Sequence, residues 1–302
     1  MLGRLCDGKV FRLFSKNSYS NNNCFYDLQY TQDCLDHFVL FLKIVKFEYF
    51  EGLELLNRID KDKLSKSLES LKINGCLDKN FKVRKLCRIM ILFPISLKNG
   101  ISVFESILLG CSSNLLNIIS VFNAQNFSNS FYYNTKMPDI QIKSRKYLSE
   151  ALTIGLSFLI YQRIPKKIRF IWSKRLKIPE SIFADAFKLL KLLKMLFYRI
   201  NIKVTNSTSL NLIDFCIFRG NNENIAINIK EKLYFSVYEK NIIKLRFKTY
   251  KLFKNNSTIS NMPLFAIYQS LTFGTDNYMD VVSIIKRIWL IFDPNFITRI
   301  LS

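Results

Sequence analysis

The sequence predicts a mainly α-helical N-terminal half followed by an α/β C-terminal half. Three observations carry this expectation. The chain has 302 residues, 49% of them hydrophobic, which is enough for a full core and, at roughly 150 residues per domain, for two domains. Between residues 31 and 162 apolar residues recur three and four positions apart, as in Leu40, Ile44, Phe47 and in Leu86, Ile89, Leu92. After Gln162 the texture changes, and short runs of alternating or continuous apolar residues appear between helical patterns.

Within the helical half, breaks fall at Ile59-Asp60, at Asn74-Gly75 and at Phe93-Pro94. The polar, Asn-rich stretch 123–137 is the candidate linker, dividing a helical bundle over 1–137 from an α/β domain over 138–302. The apolar run 101–122 is interrupted by Glu105, Asn114 and Asn117, which argues against a membrane span. In the second half, Ile168, Phe170 and Trp172 alternate with Arg169 and Ile171 just after Pro165, the pattern of a short buried strand. A helix over 179–199 follows, with Ile182, Ala186, Leu189, Leu193 and Leu196 on one face and Lys188, Lys191 and Lys194 off it. Ile200, Ile202 and Val204 then suggest a second strand, so that the three pieces form a βαβ unit with parallel strands. Further strands are expected at 225–229, 233–238 and 244–253.

The formal charge of +22 sets up a field that attracts polyanions, whether nucleic acid, an anionic membrane surface or a phosphate-bearing small molecule. Arg163, Lys166, Lys167, Arg169, Lys174, Arg175 and Lys177 cluster around Phe170 and Trp172, a mixture suited to phosphate contact and base stacking. The seven cysteines contain no CxxC pair, so reduced, mostly buried thiols and a reducing compartment are expected. His37, the single histidine, has no nucleophile motif near it and reads as structural. The N-terminus lacks the apolar core of a Sec signal, which points to a cytoplasmic protein or one delivered into a host cytosol by another route.

The block IPKKIRFIW, then IPE, a helix of about twenty residues and Val204-Thr205-Asn206 resembles the opening of glycosyltransferase A-type domains. It is most similar to the sugar-transferring toxins and effectors of the large clostridial type and their capsular-sugar relatives, whose domains open IPKxIHFIW. The resemblance implies a hexose transferase acting from a UDP-sugar onto a hydroxyl of an acceptor protein, a toxin-like effector whose helical half is similar to a membrane-targeting segment. It implies that Trp172 stacks on the uracil and that Lys174 and Arg175 lie at the diphosphate. It implies further that Asp280, in Tyr278-Met279-Asp280-Val281-Val282, ligates Mn2+ or Mg2+ in the manner of YLDVD. The sequence departs from the family at Arg169, where His is usual, and at Val282, where the second metal-binding acid belongs. The domain is accordingly expected to be divergent and incomplete at its C-terminal end, and no catalytic residue is assigned. The alternative expectation is a basic nucleic-acid-binding or ribosome-associated protein from an AT-rich genome.

Overall fold

The computed structural model describes residues 9, 11, 15, 35–47, 60–124, 149–176, 178–207, 209–246, 249, 262–272 and 276–292. Helices occupy the N-terminal side: α1 (Asp36–Ile44), α2 (Lys61–Ile73), α3 (Lys85–Met90), α4 (Leu97–Leu108) and α5 (Ser112–Phe122). They continue through α6 (Glu150–Arg163), α7 (Lys166–Leu176), α8 (Glu180–Arg199) and α9 (Leu210–Gly220). The strands are β1 (Ile225–Lys230), β2 (Leu233–Ser236), β3 (Ile242–Leu245), β4 (Phe265–Ile267), β5 (Ser270–Thr272), β6 (Tyr278–Asp280) and β7 (Ser283–Ile284), followed by a 3-10 turn at Arg287–Phe292.

Local sequence sets most helix ends. Asp60 caps α2 by accepting from Asp62 N–H at 3.0 Å, and Ser96 and Ser149 cap α4 and α6 in the same way. Helix α2 closes on Gly75 at φ 70° and α4 on Gly110 at φ 72°, with the paired backbone bonds of a Schellman ending: Cys76 N–H to Leu71 O and Gly75 N–H to Lys72 O, Cys111 N–H to Ser106 O and Gly110 N–H to Ile107 O. The break at Gly110 divides the apolar run 101–122 into two short helices, and among the described residues no helix is long and apolar enough to cross a membrane.

One hydrophobic cluster runs from Leu35 through α4, α5, α6 and α8 to Ile225 and Ile267 of the sheet and to Val281 just after β6. It therefore crosses the position expected for a domain boundary; the linker residues 125–137 themselves lie outside the described residues. Phe93 and Phe104 pack on Phe197 with ring centroids 5.0 and 6.1 Å away, and Phe183 lies on Phe158 and Tyr161 at 6.0 and 4.8 Å. Each such pair adds about 0.5–1.5 kcal/mol to ordinary burial. Two helical glycines sit at the tightest crossings. A Cβ on Gly155 would lie 2.4 Å from Ile118 Cγ1, and one on Gly220 would lie 2.3 Å from Lys98 O. Of the cysteines, Cys76, Cys87, Cys111 and Cys216 are buried free thiols, and Cys6, Cys24 and Cys34 lie outside the described residues.

The sheet has the order β5-β6-β3-β2-β1-β4-β7 and is antiparallel except where β3 meets β6. Alternation along each strand divides its faces: Ile225 and Ile267 join the helical core, while Ala226, Ala266, Tyr234 and Ile243 form a second apolar layer on the other side. Glu150 docks the sheet to α6. Its backbone N–H donates to Val282 O, and its carboxylate accepts from Val282 N–H and Thr249 Oγ1, each at 2.7 Å.

Three expectations are corrected. Residues Ile168–Trp172 are helical, part of α7, rather than a strand. Residues 200–204 are no strand either: Ile200 ends α8, Asn201 takes φ 57°, and Ile202 N–H returns to Phe197 O, a Schellman ending with Asn in the left-handed position. No βαβ unit therefore forms there. In α3 the core-facing residues are Cys87 and Met90, while Leu86 and Ile89, and Leu92 just beyond the helix, are exposed. The expected strands at 225–229 and 233–238 are present as β1 and β2, and β3 overlaps the third, much of which lies outside the described residues.

Candidate polyanion-binding site

Helix α7 forms because Pro165 can open a helix, and because the end of α6 is held by a side chain of α7. Arg169 Nε donates to Ile164 O and its Nη2 to Gln162 O, both at 3.3 Å, and the guanidinium lies 4.9 Å from the Tyr161 ring centroid. The residue that departs from the IPKxIHFIW pattern thus satisfies carbonyls left open at the C-terminus of α6 and turns the chain back on itself. Ser173 Oγ donates to Arg169 O at 2.9 Å.

This geometry relocates the expected site residues. The Trp172 ring packs against the main core and is half-buried, with its indole N–H buried and lacking a hydrogen-bond partner. Lys174 is exposed on α7; the side chains of Arg175 and Leu176 lie outside the described residues, as does Lys177. Asp280 sits at the end of β6 with a fully buried carboxylate, 2.5 Å from Arg246 Nε and bonded to Thr272 Oγ1. Burial holds its carboxyl above the usual range even though Arg246 and Thr272 pull it down. A metal ion would have to displace that pair. Val282 is fully buried in the second apolar layer, where an acid would have no access to solvent. Among the described residues no group of three or more His, Cys, Asp or Glu side chains could hold a metal.

What the structure assembles instead is basic and polar. On α7, Lys166, Lys167 and Lys174 share the solvent face with Ile168, Phe170 and Ile171, and Phe170 is 63% exposed. On α8, Phe187, Lys191, Lys194 and Tyr198 fall at helical spacings of three and four and are all exposed, Tyr198 at 85%. The aromatic ends of that stripe stand about 16 Å apart along the helix. The buried face of α8, Ile182, Phe183, Ala186, Leu190, Leu193 and Phe197, fixes which residues are presented outward.

Lys194 also borders a cleft of about 380 Å3. One wall is the first turns of α5, with Ser113, Asn114 and Asn117; another is the end of α6, with Leu159, Gln162 and Arg163. Asn206 and Ser207 close it, brought there because residues 202–207 run along the start of α5: Ser113 N–H donates to Thr205 O at 2.8 Å, and Thr205 N–H donates to Ser112 Oγ at 2.9 Å. The amides are locked. Asn114 Oδ1 accepts from Ser207 N–H at 3.3 Å, Asn117 Nδ2 donates to Ser113 O, and Asn117 Oδ1 accepts from Gln162 Nε2, the last two at 2.7 Å. No acidic residue lines the cleft.

Sequence reasoning singled out the cationic cluster near 163–177 and the lysines of α8, but not Ser113, Asn114, Asn117, Asn206 or Ser207. These come together only through packing of α5, α6 and α8, and no local spacing announces them. No protein-family model matches the chain.

Proposed function

We propose that the protein binds single-stranded nucleic acid through the exposed face of α8 and the adjoining end of α6. The observation that carries this reading is the stripe Phe187, Lys191, Lys194, Tyr198, in which two exposed aromatic rings flank two lysines that have no acidic partner among the described residues. Aromatic rings stack on any base, and lysines between them meet the phosphates. Leu192 and Met195 are also exposed on α8, but the stripe itself interleaves aromatic rings with lysines, which favours a nucleic acid over a lipid surface. The net charge of +22 supplies the long-range attraction. The nucleotide-sugar reading rested on a strand ending at Trp172, and that segment is helical.

The test is fluorescence anisotropy with a labelled uridine-rich oligonucleotide across about 50 to 200 mM salt, where four or five neutralised phosphates give a log–log slope of about −3. Tyr198→Ala is expected to cost about 1–3 kcal/mol. Lys191→Glu with Lys194→Glu should weaken binding far more than Lys61→Glu with Lys66→Glu on α2, which changes the net charge equally. Equal losses from the two pairs, or affinity indifferent to salt, would show that no defined face exists.

A further inference from the structure

The cleft beside Lys194 has a chemistry narrower than the face around it. We propose that it seats a phosphomonoester, the terminal phosphate of a nucleotide or of a nucleic-acid strand, held by Arg163 and Lys194 with the donors of Asn114, Asn206, Ser113 and Ser207. The inference rests on the nucleic-acid reading for its strand form, and stands without it for a free nucleotide.

Three features converge. The first is charge: Arg163 and Lys194 border the cleft, neither has an acidic partner among the described residues, and no lining residue is acidic. Two unpaired cations match the charge of about −1.5 to −2 on a monoester at neutral pH better than the single charge of an internal diester. The second is the sense of the hydrogen bonding. A backbone N–H can only donate, so the bond from Ser207 N–H fixes Asn114 with Oδ1 engaged and its NH2 left over. Asn117 has its amide nitrogen on the Ser113 carbonyl and its amide oxygen on Gln162, which leaves Gln162 Oε1 and the Oδ1 of the exposed Asn206, whose amide can turn its NH2 inward, as the acceptor ends among the lining amides. The remaining ends, the Asn114 and Asn206 amides, the Ser113 and Ser207 hydroxyls, the guanidinium and the ammonium, are donors or supply them, as a phosphate requires. The third is size: about 380 Å3 lies at the small end of the range for small-molecule sites, room for a phosphate with its sugar and little more.

The locked amides matter for affinity. Because Asn114 and Asn117 are held by bonds to Ser207, Ser113 and Gln162, their orientation is set before a ligand arrives and less rotamer entropy is lost on binding. Arg169, bonded to Gln162 O and Ile164 O, holds the α6 end that carries Arg163. It is a positioning residue, not a contact.

The experiment compares 3′-labelled oligonucleotides bearing a 5′-phosphate or a 5′-hydroxyl, with UMP and uridine as competitors, on the full chain. The 5′-phosphate is expected to tighten binding about ten-fold, the size of one charge-assisted hydrogen bond, and UMP to compete where uridine does not. Asn206→Asp, an exposed change that sets a carboxylate in the cleft, should abolish the advantage. Lys66→Asp, far from the cleft, should keep it, Asn206→Ala should lose part of it with one donor, and Arg163→Ala should lose it. An advantage under about two-fold, or one that survives Asn206→Asp, overturns the proposal. UMP binding sensitive to Asn206→Asp without strand binding upholds the cleft and ends the nucleic-acid reading. Salt-dependent strand binding with neither a 5′-phosphate advantage nor UMP competition does the reverse.

Discussion

Replacing Asp214 by Asn should make the protein more stable at neutral pH and flatten its stability between about pH 5 and pH 8. Asp214 lies on α9 with its side chain buried, and its Oδ1 lacks a hydrogen-bond partner. Burial pushes its carboxyl up to about 7, against the smaller opposing pulls of the Ser149 hydroxyl and Lys286. An unfolded Asp titrates near 3.8, so between these values the folded chain holds a proton that the unfolded chain has released. For a carboxyl raised on folding, stability is greatest below the unfolded pKa and is lost as pH rises through the folded one. Integrating between a folded value of about 7 and an unfolded value of 3.8, the loss from about pH 5 to about pH 8 is on the order of 2.5 kcal/mol. That is a large fraction of the stability of an ordinary domain. Asn keeps the shape and removes the charge, so its urea midpoint should stay flat where the wild-type midpoint falls. Parallel midpoint-versus-pH curves for the two proteins would refute the reasoning and place Asp214 in a solvated or fully paired setting.

Gly220→Ala should destabilise by about 1–3 kcal/mol in urea unfolding, because its Cβ would meet the Lys98 carbonyl on α4 at 2.3 Å and that backbone cannot rotate away; an unchanged midpoint would mean that α4 and α9 slide freely. Asp280→Asn should cost about 1–3 kcal/mol by taking the buried carboxylate from Arg246, whose side chain is itself 27% exposed, and Mn2+ should not raise the wild-type melting temperature. A metal-dependent rise in melting temperature that Asp280→Asn removes would restore the metal reading. Arg169→Ala should cost about 1–2 kcal/mol through two lost bonds to α6 carbonyls and the contact with Tyr161, and Arg169→Lys should not recover it, since an ammonium lacks the planar fork. Full recovery by Lys would make charge alone sufficient.

Much of the architecture was already legible along the chain. Asp60 before α2, Gly75 after it, the break near residue 93, the apolar face of α8 and the strand patterns at 225–229 and 233–238 all act over a few residues, and local rules capture them. The segment Ile168–Trp172 escaped those rules. Five residues rich in Ile, Phe and Trp satisfy strand alternation and helical spacing equally, and the choice fell to contacts elsewhere: a helix has its own hydrogen bonds, an isolated strand has none, and Arg169 reaches the end of α6 only from a helix. The same ambiguity hid Asn201, whose left-handed turn ends α8 where alternation suggested that a strand began.

The amino-acid sequence by itself determined the helical first half, the existence of a C-terminal sheet and a strong positive field, because propensity, capping and net charge are local or additive quantities. Tertiary structure alone decided that Asp280 is sealed against Arg246, that Val282 is core, and that Arg163, Lys194 and Asn206 share one cleft. Burial and convergence are properties of how helices α5, α6 and α8 pack, and residues separated by more than ninety positions meet there with nothing in their spacing to announce it.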